Sequence, residues 1–423
     1  MNSSFKKIKY KESIDRLIYE MPEALSLNLL LDFSILFFDA YERGAECFEI
    51  IRNVNQRDVI AEILRNNLRL KDKTLNFMGE KFSQLNPECI NIINHMFRGL
   101  CLEEDRFEDC SDAFQYMLSL WVENHQNTYF FTPMNLANMM VEIISPDNNE
   151  FVVDPACGSG RILAATGKQN KNLLLQGIDI NSGLSILSYF NIFFSTKNDA
   201  TMKNEDFLSI KKNEYFLCDI IVSNPPYKYD LNVTVNYIER IIEMLKPNGR
   251  CGILVPEGFL TSSVMNRVIR LRQRLIDSNY LDAVISLPRK IYKPYTESKS
   301  SLIILNKAPN KTDTVFMCNI PEYNGAENEF TTDVYQADMD KIVKAWKYYA
   351  GIVSEKNSDV RNVYWCTEYK EIMESDNYIL SAEQYQRKQY LSTNVQYDEL
   401  RNEIMETQMK LKTTFEYYNE VRL

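Results

Sequence analysis

Histidine is almost missing from the chain, and its cysteines are unpaired in sequence. His95 and His125 are the two histidines, and the nine cysteines include no Cys-x-x-Cys pair. A zinc site of the usual kind is thereby excluded, and a Ser-His or Cys-His hydrolase lacks its base. Both histidines read as structural or surface residues. Glycine and proline number only 13 each, which excludes collagen-like and low-complexity character. No apolar run is long enough to span a bilayer. The strongest, 25–38, is broken by Asn28 and Asp32, and no apolar segment of the secretory type follows the lysines of 1–11. The expectation is a cytoplasmic chain in a reducing compartment, with no metal and no membrane. Positive charge is also scarce. Lys and Arg total 48 against 58 Asp and Glu, a net charge of −10, so the chain as a whole is not shaped to wrap phosphates.

What is present is apolar and aromatic. Hydrophobic residues make up 45% of the chain, with 25 Tyr and 22 Phe, enough for a folded core without staples. A length of 423 residues suggests two or three domains. Residues 1–125 carry helical spacing, as in Leu25, Leu29 and Leu36 or Ile60, Ile63, Leu64 and Leu68, with breaks at Gly44 and Asn86-Pro87. From 126 to 310 short apolar runs begin at Phe151, Leu173, Ile220, Gly252, Ala283 and Leu302, and helical patterns such as 184–194 and 237–245 lie between them. Alternation of this kind predicts an α/β, doubly wound, mostly parallel sheet with ligands at the carboxyl ends of its strands. Residues 311–395 read as an α+β extension. In 396–423, Leu400, Ile404, Leu411, Phe415 and Tyr418 mark an amphipathic C-terminal helix.

Charge is uneven along these segments. Residues 126–307 hold 20 basic and 17 acidic groups between two acidic flanks. Arg267, Arg270, Arg272, Arg274, Arg289, Lys290, Lys293 and Lys299 concentrate the excess, which marks either a phosphate-facing surface or a solvated helix face.

The first strand runs into Asp154-Pro155-Ala156-Cys157-Gly158-Ser159-Gly160. Glycines at such a turn let a ligand approach backbone N–H groups. The turn suits a dinucleotide, a nucleotide or S-adenosylmethionine. Leu163 stands where a dinucleotide fingerprint needs its third glycine, and the spacing of Gly160 to Gly167-Lys168 fails a phosphate-binding loop. Asp179 ends the second strand, placed to accept ribose hydroxyls or to cap the next helix, a task open to Asn181 or Ser182 as well. Asp206-Phe207 offers a carboxylate and an aromatic face before the next strand. The fourth run ends in Asn224-Pro225-Pro226-Tyr227. The exocyclic amine of a purine is a poor nucleophile because its lone pair is delocalised into the ring. Two acceptors at its N–H bonds, the Asn224 amide oxygen and the Pro225 carbonyl, localise that pair. Successive prolines hold the carbonyl rigidly, and Tyr227 supplies a stacking face.

With both motifs present in this order, the chain resembles the N6-adenine DNA methyltransferases that use S-adenosylmethionine, in their gamma arrangement. Phe130-Phe131-Thr132-Pro133 is similar to the family's Thr-Pro segment. Val255-Pro256-Glu257-Gly258, Leu287-Pro288, Tyr292 and Ser300-Ser301-Leu302-Ile303 resemble the modification subunit of type I restriction–modification systems. The resemblance implies a Rossmann-like methyltransferase domain with a helical N-terminal domain and a helical tail. It implies that Phe131, Thr132, Pro133, Asp154, Ala156, Gly158, Gly160, Asp179, Ile180, Asp206, Phe207 and Asn224 hold the cofactor. Asn224, Pro225, Pro226 and Tyr227 would act on the target adenine, with Tyr227 and Tyr292 packing on the base. Asp179 departs from the longer Glu of many relatives. The partners implied are double-stranded DNA, a DNA-specificity subunit, and a restriction subunit or second copy. Delegated DNA reading would account for the acidity. The rivals are methylation of a protein glutamine amide or an RNA base, a non-catalytic cofactor-binding scaffold, and a nicotinamide dehydrogenase, which the missing glycine disfavours. Cytosine-5 chemistry is disfavoured because no Pro-Cys dipeptide occurs.

Overall fold

The computed structural model describes residues 9–20, 26–44, 59–67, 70, 87–125, 131–214, 216–226, 230–292, 296–308, 312–322, 335–352 and 364–386. The expected helix in 396–423 and the stacking residue Tyr227 lie outside the described residues. No described helix is long and apolar enough to cross a membrane.

The helical expectation for the first part of the chain holds over the described residues. Helices α1 (Lys11–Glu20), α2 (Leu27–Arg43), α3 (Val59–Asn66), α4 (Pro87–Leu102) and α5 (Arg106–Asn124) share one apolar core. α2 is its centre, buried at every position from Leu29 to Ala40. Ser26 opens α2 by accepting the Leu29 N–H at 3.3 Å, and Gly44 closes it at φ 55°. Pro87 starts α4, where its missing N–H is not needed.

Helix α6 (Met134–Ile144) then leads into β1 (Phe151–Asp154), α7 (Arg161–Gln169), β2 (Leu174–Asp179), α8 (Ser182–Thr196), β3 (Thr201–Asn204) and β4 (Cys218–Ser223). There follow α9 (Leu231–Met244), β5 (Leu245–Pro256), α10 (Glu257–Thr261), α11 (Asn266–Asp277), β6 (Leu281–Ser286) and β7 (Ser300–Asn306). The described chain ends with β8 (Thr314–Asn319), α12 (Gln336–Tyr349), β9 (Tyr364–Glu368) and α13 (Tyr369–Met373). Among the described residues the strands form one sheet in the order β3-β2-β1-β4-β5-β7-β6-β8-β9. The first five are parallel, as expected. β7 runs antiparallel between β5 and β6, and β9 antiparallel to β8. The sheet is buried on both faces. Val152 joins the core under α6, α7 and α12, while its neighbour Val153 joins the core under α9 and α11.

Two contacts lock the pieces around the sheet. α8 carries Phe190, Phe193 and Phe194 into the helical core, where Phe38 meets Phe193 at 4.7 Å and Phe114 meets Phe194 at 4.9 Å between ring centroids. On the other face, Arg272 of α11 is fully buried without a carboxylate. Its guanidinium donates to the carbonyls of Phe259 at 3.2 Å, Leu260 at 2.6 Å, Ser262 at 2.5 Å and Asn377 at 2.8 Å. Burial pushes its pKa down to about 10, still far above neutrality. It joins the α10 turn to the 376–386 segment, as does the Leu380 N–H on Leu260 O at 3.0 Å, while the Lys299–Glu383 ion pair ties the same segment to the start of β7. Arg272→Leu should cost about 3 kcal/mol or more by leaving these carbonyls unmet. Urea denaturation measures this, and a loss within about 0.5 kcal/mol would show that the carbonyls find water.

Candidate active site

The chain winds outward from β1 through β2 to β3, then returns to β4 on the other side of β1. The crevice at this reversal, at the carboxyl ends of β1 and β4, is where such sheets bind ligands. Asp154 closes β1 inside it, only 1% exposed. Its Oδ1 accepts the Ser223 hydroxyl at 2.7 Å and the Ala156 N–H at 3.1 Å, tying the end of β1 to the end of β4. Its Oδ2 is buried with no hydrogen-bond partner among the described residues. Burial pushes the carboxyl up to about 7, and nearby Asp179 adds to the rise, while the Ser223 and Ala156 hydrogen bonds oppose it.

The glycine turn follows. Gly158 has φ +53°, and a side chain built on it would meet nothing within 4 Å, so the turn opens into free space there. Gly160 differs. At φ +77° a Cβ would stand 2.5 Å from Ser188 Oγ and 2.9 Å from Ser188 Cα, so this glycine admits α8. Asn191, also on α8, donates to Ser159 O at 2.8 Å. The turn is also held from β2. Asp179 accepts the Gly158 N–H at 2.8 Å and the Asn181 N–H at 2.8 Å. The helix cap is Asn181, whose side chain accepts Leu184 N–H at 3.0 Å, so Asp179 is not spent on that task. Burial raises the Asp179 pKa against those two N–H bonds. Asn204 donates to the carbonyls of Asp179 and Ile180 at 3.0 and 2.9 Å, while the Ile180 side chain is left 73% exposed.

From the other side comes the segment before α6. Asn224 donates through Nδ2 to Thr132 Oγ1 at 3.1 Å. Thr132 O accepts from Arg161, at the head of α7, at 3.1 Å, and the Arg161 guanidinium lies 5.5 Å from the centroid of the buried Phe131 ring. Pro133 caps α6, Pro225 is buried and Pro226 is exposed. The structure thus brings together Phe131, Thr132, Asp154, Ala156, Gly158, Asp179 and Asn224. Three further expected residues have partners within the protein. Asp206 caps the turn Phe207–Ser209, accepting from Leu208 N at 2.9 Å and Ser209 Oγ at 2.6 Å. Phe207 is buried against Tyr237 at 5.3 Å, and Arg240 donates to its carbonyl. Tyr292 is 3% exposed, inside the core with Leu287 and Ile291. Sequence reasoning passed over Ser223, Arg161 and Asn191. Ser223 and Arg161 adjoin motifs and Asn191 lies within the 184–194 helical pattern, yet their roles appear only when separate strands and helices meet.

A family model described as N-6 DNA Methylase matches residues 105–236 and 230–393. The chain is 24% identical over 341 residues to the methylase subunit of the type I restriction enzyme MjaVIII of Methanocaldococcus jannaschii, covering 71% of this chain and 58% of that one. It is 25% identical over 280 residues to the MpnII methylase subunit of Mycoplasma pneumoniae, covering 55% and 50%. The chain therefore matches about half the length of these curated relatives. Among solved structures, a chain of a type I R-M system aligns with TM-score 0.64 at 17% identity, over 93% of this chain and 98% of that one. The type I restriction-modification methyltransferase subunit of Streptococcus thermophilus aligns with TM-score 0.59 at 17% identity, over 87% and 96%. These likenesses are ones of fold, and they bear out the α/β, Rossmann-like architecture expected from the sequence.

Asp154 gives the site a pH signature. Its folded-state pKa lies above the ordinary value of 3.8, so its contribution to stability is full below pH 4 and is lost as pH rises through 7. The stability of the wild type relative to Asp154→Asn should fall by roughly 1.4 kcal/mol per pH unit across that window and level off above it. Urea unfolding of both proteins from pH 4 to 8 tests this. A difference independent of pH would mean that Asp154 ionises as an ordinary surface carboxyl does.

Proposed function

The chain belongs to the N-6 DNA methylase family, and on that premise we propose that it transfers the methyl group of S-adenosylmethionine to N6 of an adenine rotated out of duplex DNA. In this reading it is the modification subunit of a restriction–modification or related defence system. It works with duplex DNA, a DNA-specificity subunit, and a restriction subunit or a second copy. Residues 126–310 form its catalytic part, extended by 311–395 and flanked by the helical 1–125 and the 396–423 tail. The observation that carries the reading is one crevice bordered by both an open glycine turn and Asn224.

The crevice fits the cofactor. Asp154 Oδ2, buried and unmet, suits a cationic amino-acid end, and the space at Gly158 leaves room beside it. Asp179 accepts two backbone N–H bonds, and a carboxylate has about four lone-pair sites, so two remain for ribose hydroxyls. The exposed Ile180 offers an apolar face to a flat base. Asp206 keeps acceptor capacity beyond its cap, whereas Phe207 supports this wall from within. Phe131, Thr132 and Pro133 border the opposite side, with Arg161 fixing the Thr132 carbonyl. Ala156 and Gly160 shape the turn. When bound, the cofactor supplies a methyl on a sulfonium, ready for direct displacement.

The chain's own part is to make N6 a nucleophile. With Nδ2 engaged by Thr132, Asn224 presents Oδ1 as an acceptor for one N–H of the amine. The Pro225 carbonyl accepts the other, held by the Pro225-Pro226 pair. In this reading Tyr227, outside the described residues, is the residue assigned to stack on the base, and Tyr292 backs the pocket from the core. Two acceptors localise the lone pair toward the methyl, and fixed alignment supplies the rest of the rate. No covalent intermediate is required.

Asn224→Ala should lower methyl transfer by about 100- to 1000-fold while cofactor affinity stays within about threefold, since its energy goes into the target amine. Tritiated methyl incorporation into DNA and calorimetric cofactor binding read the two effects separately. Wild-type turnover by the variant would remove Asn224 from the chemistry.

A further inference from the structure

A primary amide has two ends of nearly equal size, so shape alone does not decide which end Asn224 turns toward the crevice. The choice has a chemical consequence. An exposed oxygen accepts an N–H of the target amine, whereas an exposed NH2 sets donor against donor and localises no lone pair. The group that holds the other end of this amide therefore controls whether the site works.

Among the described residues the Asn224 side chain makes one hydrogen bond, from Nδ2 to Thr132 Oγ1 at 3.1 Å. The hydroxyl next to it in sequence, on Ser223, is fully buried and donates to Asp154. Thr132 lies 92 residues upstream, in the segment before α6, and is 9% exposed. The resemblance gave this residue to the cofactor. Its hydroxyl meets the asparagine of the target-base loop, a role separate from bordering the cofactor.

A holding group must itself be held, and three contacts fix Thr132. Before it, Phe131 is buried in the helical core and meets Trp121 of α5 edge-on, with ring centroids 5.2 Å apart. At Thr132 itself, the carbonyl accepts from Arg161 at 3.1 Å. After it, Pro133 caps α6, and its carbonyl accepts the Ala137 N–H at 2.9 Å. The 131–133 backbone is thus tied to the helical part of the chain, to α7 after the glycine turn, and to α6. Asn224 is partly exposed and precedes the loop into α9, so Thr132 is the fixed member of the pair.

We propose that Thr132 is a positioning residue for methyl transfer, its hydroxyl fixing the Asn224 amide with Oδ1 toward the target amine. The inference rests on the transfer reaction proposed above and deepens it. It gives the helical amino-terminal part a share in the chemistry, because Phe131, anchored on Trp121, sets the place of the hydroxyl that aims the amide. Alignment of this kind acts on the rate of transfer and not on the affinity for the cofactor. Valine keeps the shape of threonine and cannot hydrogen-bond, whereas serine keeps the hydroxyl and loses a methyl. The two substitutions therefore separate aim from packing.

The test combines transfer rates with a direct view of the amide. The full chain, with any subunits that co-purify from its source cells, is given unmethylated genomic DNA from a strain lacking the gene. Tritiated methyl incorporation is followed in the first turnover at saturating cofactor, so that any contact between Thr132 and the cofactor is not limiting. T132V should be slower by about 10- to 30-fold, T132A should resemble it, and T132S should stay within about threefold of the wild type. In an N224A background, T132V should add less than about twofold, because the group it aims is gone. Spectra of asparagine-15N-labelled protein supply the second readout. The Asn224 Nδ2 signal, assigned by its loss in N224A, should shift in T132V and keep its wild-type position in T132S. Wild-type transfer by T132V, an unmoved Nδ2 signal, or the same loss in the N224A background overturns the proposal. The last outcome would make Thr132 a contact of the cofactor or of the fold. No methyl incorporation by the wild type, with the Nδ2 signal still set by Thr132, would instead sink the catalytic reading and leave this contact standing.

Discussion

The hydrogen bond from Ser223 to Asp154 is the contact on which the site depends. It joins the last residue of β1 to the last residue of β4 across the reversal of the sheet. A buried carboxyl is costly unless satisfied, and this one is half satisfied. One oxygen links the two strand ends, and the other meets no hydrogen-bond partner among the described residues. The glycine turn begins one residue after the first strand end and the Asn-Pro-Pro segment one residue after the second. This bond extends the β1–β4 pairing to the point from which both halves of the crevice start.

The second constraint is α8. One side of this helix shapes the glycine turn, through Ser188 against Gly160 and Asn191 on the Ser159 carbonyl. The other side is aromatic and sits in the helical core with Phe38, Phe107 and Phe114. Asp179 and Asn204 complete the frame from β2 and β3. The crevice is therefore walled by elements whose positions are fixed elsewhere in the molecule.

Much of this was legible in the sequence because of burial. β1, β4, β6 and β7 are covered on both faces, so they appear as unbroken apolar runs that composition alone reveals. β3 did not, since Thr201–Asn204 is an edge strand without an apolar pair. The reversed direction of β7 was also invisible, because local pattern carries no record of strand direction. Of the site, the motif glycines and Asn224 could be read from spacing, but the division of labour between Gly158 and Gly160 could not. One faces open space and the other a neighbouring helix, and both have the same letter. Asp179 and Asn181 were interchangeable as caps until coordinates assigned the cap to Asn181. Phe207 read as a ring face for a ligand because it follows Asp206 as an aromatic before a strand, and Tyr292 through the resemblance alone. Their burial shows that such a residue is as readily a support beneath the wall.

Arg272 has a consequence beyond stability. A guanidinium surrounded by carbonyls has no charge to share with a neighbouring carboxylate, so the join it makes between the α10 turn and the 376–386 segment is insensitive to salt and to physiological acidity. The 376–386 segment is thus held at the turn after β5 by a contact that keeps its strength when ionic conditions change, whereas the Lys299–Glu383 ion pair beside it is open to screening.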